Sequence, residues 1–330
     1  MIKDSVAIIG GAGFVGTNLA RNLKKTDIKY VIYDIDLRDG TENIVKLDVE
    51  NLNSLRQIKG VDTIINLAAV HRDDVKPISR YDSVNIGGAE NICDAARRYN
   101  INKIIFTSSV AVYGFAQSNI TEDGEHNYFN DYGRTKSYAE EVYKKWQSED
   151  CKHRTLVIIR PTVIFGEGNR GNVFNLLRQI ASRKFVMFGN GENCKSMAYV
   201  ENVSAFLEHS ISFKPGLHIY NYIDKPDFNM NTLISESRSI MFGKRDVGFR
   251  LPRFIGIIIG YTADIVARII NKPLAVSSIR VKKFMTTTQF SSSVFKTGFI
   301  PPISIEEGLA RTIRYEFLED NKDKRTFYTE

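Results

Sequence analysis

The chain has 330 residues, 45 Lys and Arg against 38 Asp and Glu, and a formal net charge of +7. With 43% apolar and 25% charged residues it has the make-up of a folded globular protein. That excludes a disordered tail, a collagen-like repeat and a disulfide-stapled miniprotein. Three scattered cysteines, Cys93, Cys151 and Cys194, exclude a disulfide framework and a zinc site, so no metal is expected.

The first apolar run, Ser5–Ile9, leads directly into Gly10, so it belongs to the fold and leaves no room for a secretory signal. No apolar stretch reaches the length of a bilayer span. Short β-branched runs at 6–9, 30–33, 44–47, 63–67, 103–107 and 155–160 alternate with helix-compatible segments at 16–24, 52–58, 87–99 and 132–146. Strands buried on both faces and separated by helices predict a parallel sheet of right-handed βαβ units, a doubly wound α/β Rossmann domain over residues 1–165. Residues 198–222 are expected to return a helix and a strand to that domain. Residues 166–197 and 223–330 then form a smaller, mixed α/β substrate domain.

Gly10, Gly13 and Gly16 lie between the first strand and the first helix, spaced G-x-x-G-x-x-G. The first glycine permits a tight turn, the second lets the backbone approach a pyrophosphate, and the third allows close helix–strand packing. The helix N-terminus adds N–H donors and a partial positive charge. Asp34 ends the second strand 24 residues after Gly10, where a carboxylate bonds ribose hydroxyls and repels a 2′-phosphate. NAD is therefore expected over NADP, although Asp36 and Arg38 follow closely.

The fifth strand ends in Phe106-Thr-Ser-Ser-Val-Ala-Val-Tyr-Gly114, and Asp131-Tyr-Gly-Arg-Thr-Lys136 contains Y-x-x-x-K. Residues four apart share a helix face, so Lys136 lies beside Tyr132. Its ammonium is expected to lower the phenol from about 10 towards the range of a general base, while a strand-end serine holds the same substrate oxygen.

These residues together resemble the extended short-chain dehydrogenase/reductase superfamily, in its NAD-dependent epimerase/dehydratase branch. The resemblance runs through Gly10–Gly16, Asp34, Asp48-Val49, Asn66-Leu-Ala-Ala69, Val84-Asn85, Ser108–Gly114, Tyr132/Lys136 and Arg160-Pro161. It implies that Asp48 and Val49 flank the adenine and that Ala68, Ala69 and Asn85 line the cofactor cleft. It further assigns Phe14, Val15, Leu67, Thr107, Pro161 and Val163 to the cofactor and makes Ser109 the catalytic serine. Asn66 stands where many relatives carry histidine. Sugar 4,6-dehydratases of the branch place an Asp-Glu pair after the active-site hydroxyl, whereas this chain has Val110-Ala111, so dehydration is disfavoured.

His71 and Arg72 follow the Asn66-Leu-Ala-Ala strand end and are expected to face substrate. Further on, glycines, asparagines and Arg170 suggest a polar substrate floor, and they read equally as turn residues. The superfamily's nucleotide-sugar enzymes make Asn172 and Arg280 candidate contacts to a substrate diphosphate. The segment 250–272 is the least ordinary part of the chain. On a helix it places Arg253, Asp264 and Arg268 within about 60° of one another and covers the rest with isoleucine, valine and phenylalanine. Such a wide apolar face with basic flanks suits a membrane-dipping helix, or a helix buried in the core or at an oligomer contact.

Residues 70–75, 168–173, 195–200 and 277–284 narrow the resemblance to bacterial N-acetylglucosaminyl-diphospho-undecaprenol 4-epimerases of O-antigen assembly. That group implies a polyprenyl-diphosphate-linked sugar as substrate. It also implies a cytoplasmic enzyme held at the inner face of an anionic membrane, and a homodimer. A soluble UDP-N-acetylhexosamine 4-epimerase, a nucleotide-sugar 4-ketoreductase and a non-catalytic NAD-binding protein remain as alternatives; an intact Ser109, Tyr132 and Lys136 speaks against the last. Nucleic-acid binding is not expected, because the basic residues lack interleaved aromatics or a known module. Residues 244–283 hold nine basic and two acidic residues, so the whole charge excess surrounds the apolar segment.

Overall fold

A computed structural model of the chain describes residues 5–37, 44–72, 75–114, 119–270, 278–321 and 323–329. Arg38, Asp73, Asp74, Lys272 and the side chains of Arg280 and Lys283 lie outside the described set. The first half runs β1 (Ser5–Ile9), α1 (Phe14–Leu23), β2 (Lys29–Asp34), β3 (Ile44–Lys46), β4 (Thr63–Asn66), α2 (Ser79–Tyr81), α3 (Gly88–Tyr99), β5 (Lys103–Thr107), α4 (Asp131–Ser148) and β6 (Thr155–Pro161). Then follow β7 (Val163–Phe165), α5 (Asn172–Ala181), β8 (Met187–Phe188), β9 (Cys194–Tyr199), α6 (Val200–Ser210), β10 (Gly216–Tyr222) and β11 (Asp224–Asn229). The chain continues through α7 (Met230–Phe242), β12 (Arg250–Leu251), α8 (Arg253–Ile269), α9 (Ser278–Met285) and α10 (Ile305–Ile313).

Seven strands form one parallel sheet in the order β10-β6-β5-β4-β1-β2-β3. The pleat explains the unbroken apolar runs of its strands. Ile9, Ile64, Ile104 and Ile158 face a core shared with α3 and α4, while Ile8, Ile65, Ile105 and Ile159 face one shared with α1 and α6. The strand order reverses between β1 and β4, and ligands of open α/β sheets bind beyond the carboxyl ends of the strands at such a point. A mixed sheet, β11-β9-β7, continues from the end of β6 and packs with α5, α7 and α10 around a separate core.

Two expected helices differ in detail. Over 52–58 the chain makes only a 3₁₀ turn, Ser54–Ile58, with Leu55 and Ile58 as its buried anchors. The Asn51 side chain accepts the Asn53 N–H, and Gln57 bonds the Lys46 carbonyl, so local side chains compete with helix continuation. Ahead of α3 lies a π-helical turn, Asp82–Gly87, which swings Asn85 inward.

Candidate active site

The glycine loop is shaped by close backbone approach. Gly10 has φ +74°, and a Cβ there would sit 2.6 Å from the Ala68 nitrogen, so no larger residue fits. Gly16 packs on Gly11 with the same tightness: a Cβ would meet the Gly11 Cα at 2.4 Å. Gly13 caps α1 with no side-chain hydrogen bond and no acidic residue in the first turn, leaving the helix N-terminus suited to an anion. Phe14 and Val15 turn their side chains into cores, so only their main chain can serve a phosphate.

Asp34 closes the loop from β2. Its Oδ2 accepts the Ala12 N–H at 2.9 Å and its Oδ1 accepts the Asp36 N–H at 3.1 Å. Asp48 holds its turn by accepting the Glu50 N–H, and Val49 is buried with its carbonyl taken by Asn91. Leu67, Ala68 and Ala69 leave β4 over Gly10, and Asn66 ties this exit to α4 by accepting the Ala68 N–H and donating to the Tyr143 hydroxyl. Asn85 is buried and spends both amide donors on Val70 and Thr135, so it acts by setting the loop after β4 against α4. The Thr107 and Thr162 hydroxyls, at the ends of β5 and β6, are buried without a partner. A glycine cradle, an acid at the end of β2 beside that cradle, and orphaned hydroxyls at the ends of β5 and β6 fit NAD.

The chemical centre lies at the end of β5. Ser109 and Tyr132 share a hydrogen bond, and the Ser109 Oγ also accepts the Ala111 N–H at 3.1 Å. Lys136 is buried, donates to the Thr107 carbonyl at 2.7 Å and sits 6.0 Å from the centre of the Tyr132 ring. Burial pushes the Tyr132 phenol up to about 12, while the Ser109 hydrogen bond draws it down. Burial also brings the Lys136 ammonium down to about 7, with the Glu140 carboxylate opposing. The expected lowering of the tyrosine by its lysine is not found here: desolvation dominates both groups, and the hydrogen bond to Ser109 is what draws the phenol down.

That low lysine pKa has a stability consequence. Between pH 7 and 10.5 the unfolded chain binds the proton that the folded chain has lost, so stability rises with pH across this window. Below pH 7 the full burial penalty is present. NAD-stripped Lys136→Met is accordingly expected to melt above the parent at pH 6, with the advantage shrinking as pH approaches 10. A variant that melts below the parent at pH 6 would refute this reading.

Several contributors escaped the sequence reading. Glu140, one helical turn beyond Lys136, is fully buried and accepts from the Ser108 hydroxyl at 2.6 Å. It pairs through both oxygens with Arg160, at 2.8 and 2.6 Å. Arg160 also donates to the Tyr113 hydroxyl and the Glu122 carbonyl, and contacts the His126 ring. The i, i+4 spacing from Lys136 was the available signal. Lys195, on β9, is brought down to about 8 by burial and donates to the Thr286 carbonyl just past α9.

Among the substrate candidates, His71 stands exposed at the cleft within electrostatic reach of Lys136. Desolvation chiefly, together with Lys136 and Arg72, lowers its pKa, and the Ala69 carbonyl opposes this. The loop carrying Arg72 is fixed by the Tyr81 hydroxyl, which donates to the Arg72 carbonyl. Asn172 is exposed as the first residue of α5, and the backbone of Arg280 lies on α9. Pro161 ends β6, whereas Val163 is 45% exposed on β7.

A glycine-looped, doubly wound sheet with Ser, Tyr and Lys at its carboxyl edge defines an NAD-dependent enzyme of the short-chain dehydrogenase/reductase type. The NAD dependent epimerase/dehydratase family matches residues 6–221, and the chain belongs to that family. Over its full length it is 45% identical to all of the N-acetyl-alpha-D-glucosaminyl-diphospho-ditrans,octacis-undecaprenol 4-epimerase of Escherichia coli O157:H7. The fold matches the UDP-N-acetylglucosamine 4-epimerase of Bacillus cereus with a TM-score of 0.75 at 16% identity, over 96% of this chain and 98% of that one. It also matches the UDP-glucuronic acid 4-epimerase of Bacillus cereus in complex with NAD, with a TM-score of 0.70 at 19% identity, over 94% and 98% of the two chains.

Proposed function

We propose that the enzyme interconverts GlcNAc-diphospho-undecaprenol and GalNAc-diphospho-undecaprenol at the inner face of an anionic membrane, for surface polysaccharide synthesis. The carrying observation is α8. Only Gly256 and Gly260 of this helix are buried, and a Cβ at Gly256 would meet the Phe188 ring at 2.8 Å. Phe254, Ile258, Ile265 and Ile269 are 62%, 59%, 58% and 77% exposed. Of the expected polar stripe, Asp264 instead turns towards α9 and accepts the Ser278 N–H, while Arg253 and Arg268 stay at the surface. Among the described residues no helix is long and apolar enough to cross a membrane. A helix lying in the headgroup region satisfies both its apolar face and its basic surroundings. The similarity to the Escherichia coli enzyme supports a lipid-linked sugar, whose diphosphate and sugar enter the cleft while its chain stays in the bilayer.

Bound NAD supplies the hydride acceptor and donor for sugar carbon 4, and its oxidised ring adds a positive charge that favours a phenolate. Tyr132 takes the proton of the 4-hydroxyl as that oxygen becomes a carbonyl, and returns it when the hydroxyl re-forms. Ser109 holds the same oxygen by hydrogen bond, and Lys136 holds its register through the Thr107 carbonyl. The sugar turns over as a 4-ketone between these two proton transfers, which inverts carbon 4. No acid stands at Val110 or Ala111 to expel a 6-hydroxyl. We also propose a homodimer through the outer faces of α3 and α4, a reading supported by the exposed Phe129 and Tyr138.

Ile258→Asp combined with Ile265→Asp tests the membrane role, since neither side chain supports the core. Each buried isoleucine contributes about 1.5–3 kcal/mol. The pair is therefore expected to cut binding to phosphatidylglycerol vesicles at least tenfold, and conversion of the vesicle-embedded substrate with it. Unchanged vesicle binding would remove α8 from the membrane contact.

A further inference from the structure

The end of the chain returns to the glycine loop. Arg325 donates through Nη2 to the Ala12 carbonyl at 2.6 Å, bridging 313 residues of sequence. The Phe327 ring packs on Phe14, the first residue of α1, with centroids 5.6 Å apart. The Arg325 guanidinium in turn lies 4.8 Å from the centre of the Phe327 ring. Main-chain bonds secure the segment on its other side. The Phe327 N–H reaches the Gly168 carbonyl at 2.8 Å, and the Arg170 N–H reaches the Phe327 carbonyl at 2.7 Å. The Thr329 hydroxyl donates to the Asn169 side chain at 2.6 Å. Gly168, with φ +83°, lets the tail pass, since a Cβ there would sit 2.9 Å from the Arg325 carbonyl. Tail, phosphate loop and the 166–171 loop are thus stitched together.

Residues 10–20 contain no charged side chain, so the loop's own groups meet a dianionic pyrophosphate with neutral N–H donors alone. We infer that residues 325–329 form a clasp over the cofactor, in which the Arg325 guanidinium supplies the positive charge for the NAD pyrophosphate. A guanidinium carries its five donors in a planar fork, so it can hold the Ala12 carbonyl and a phosphate oxygen together. The ring pair and the strand-like bonds to Gly168 and Arg170 keep it in place. A redox-neutral epimerase that retains its NAD has use for such a clasp. The clasp depends on NAD and not on the identity of the sugar.

The test compares full-length, NAD-stripped parent with Arg325→Ala and Arg325→Lys, titrated with NAD, ADP and adenosine. Charge-assisted hydrogen bonds predict that Arg325→Ala weakens NAD and ADP about tenfold or more and leaves adenosine unchanged. Arg325→Lys should restore part of the loss, and added salt should weaken NAD more in the parent than in Arg325→Ala. Unchanged ADP affinity in Arg325→Ala would overturn the inference. So would an equal loss for adenosine, which would make the tail a structural strap without a phosphate contact.

Discussion

Tyr132→Phe is expected to slow epimerisation by about 10²–10⁴-fold while the protein stays folded and keeps its NAD. In the proposed mechanism the Tyr132 hydroxyl exchanges the proton of the sugar 4-hydroxyl, and the Ser109 side chain beside it draws its pKa down. The ring itself lies on α4 and keeps its packing in phenylalanine, so stability and cofactor content are unaffected. In the parent, burial holds the phenol near 12 in the absence of cofactor, so its activity should climb with pH wherever phenolate formation limits the rate. Tyr132→Phe should lose that climb along with the activity. Rapid-quench conversion assays between pH 6 and 9 report both. A variant with near-parental turnover would take the proton transfer away from Tyr132.

The largest stability effect is expected at Arg160. The pair with Glu140 is almost completely buried, at 2% and 0% side-chain exposure. Burial works against charge on Arg160, but the two hydrogen bonds it donates to the Glu140 carboxylate, with the attraction of that charge, outweigh it and raise its pKa. Arg160→Leu strands the carboxylate in a dry site and should cost about 3–5 kcal/mol, read as a lower urea midpoint. Adding Glu140→Leu removes the stranded charge and should recover much of that loss, because replacing both members of a buried pair by apolar groups is often neutral. Activity should not recover in the double variant. Glu140 also accepts the Ser108 hydroxyl beside Ser109 and opposes the desolvation of Lys136. If the double variant were as unstable as Arg160→Leu, the stranded charge would not be the cause.

The sheet was legible because its signals are local. Runs such as Ile104–Phe106 are apolar on both faces, and Gly10, Asp34 and the Tyr132/Lys136 spacing each follow an identifiable strand or cap. The 3₁₀ turn at Ser54–Ile58 was not, since Asn51 and Gln57 compete with the helix through side-chain bonds that periodicity does not record. The pairing of Glu140 with Arg160 depends on how α4 lies against β6, and the docking of Arg325 on Ala12 joins opposite ends of the chain. Neither has a spacing rule. The charge balance of Tyr132 and Lys136 was misjudged for a related reason: adjacency on a helix is visible in sequence, but burial of both groups is a property of the packed site. For α8, the apolar face was legible, and its outward direction was supplied by the packing of Gly256 on Phe188.

An NAD site and a Ser–Tyr–Lys centre suit both lipid-linked and nucleotide-linked sugars, so the central claim rests on which diphosphate carrier the enzyme accepts on its sugar. Conversion of GlcNAc-diphospho-undecaprenol in phosphatidylglycerol vesicles should be compared with conversion of UDP-GlcNAc, using the same NAD-loaded protein. A kcat/KM at least a hundredfold higher for the lipid-linked sugar is the predicted result, and a comparable or higher value for UDP-GlcNAc would contradict it.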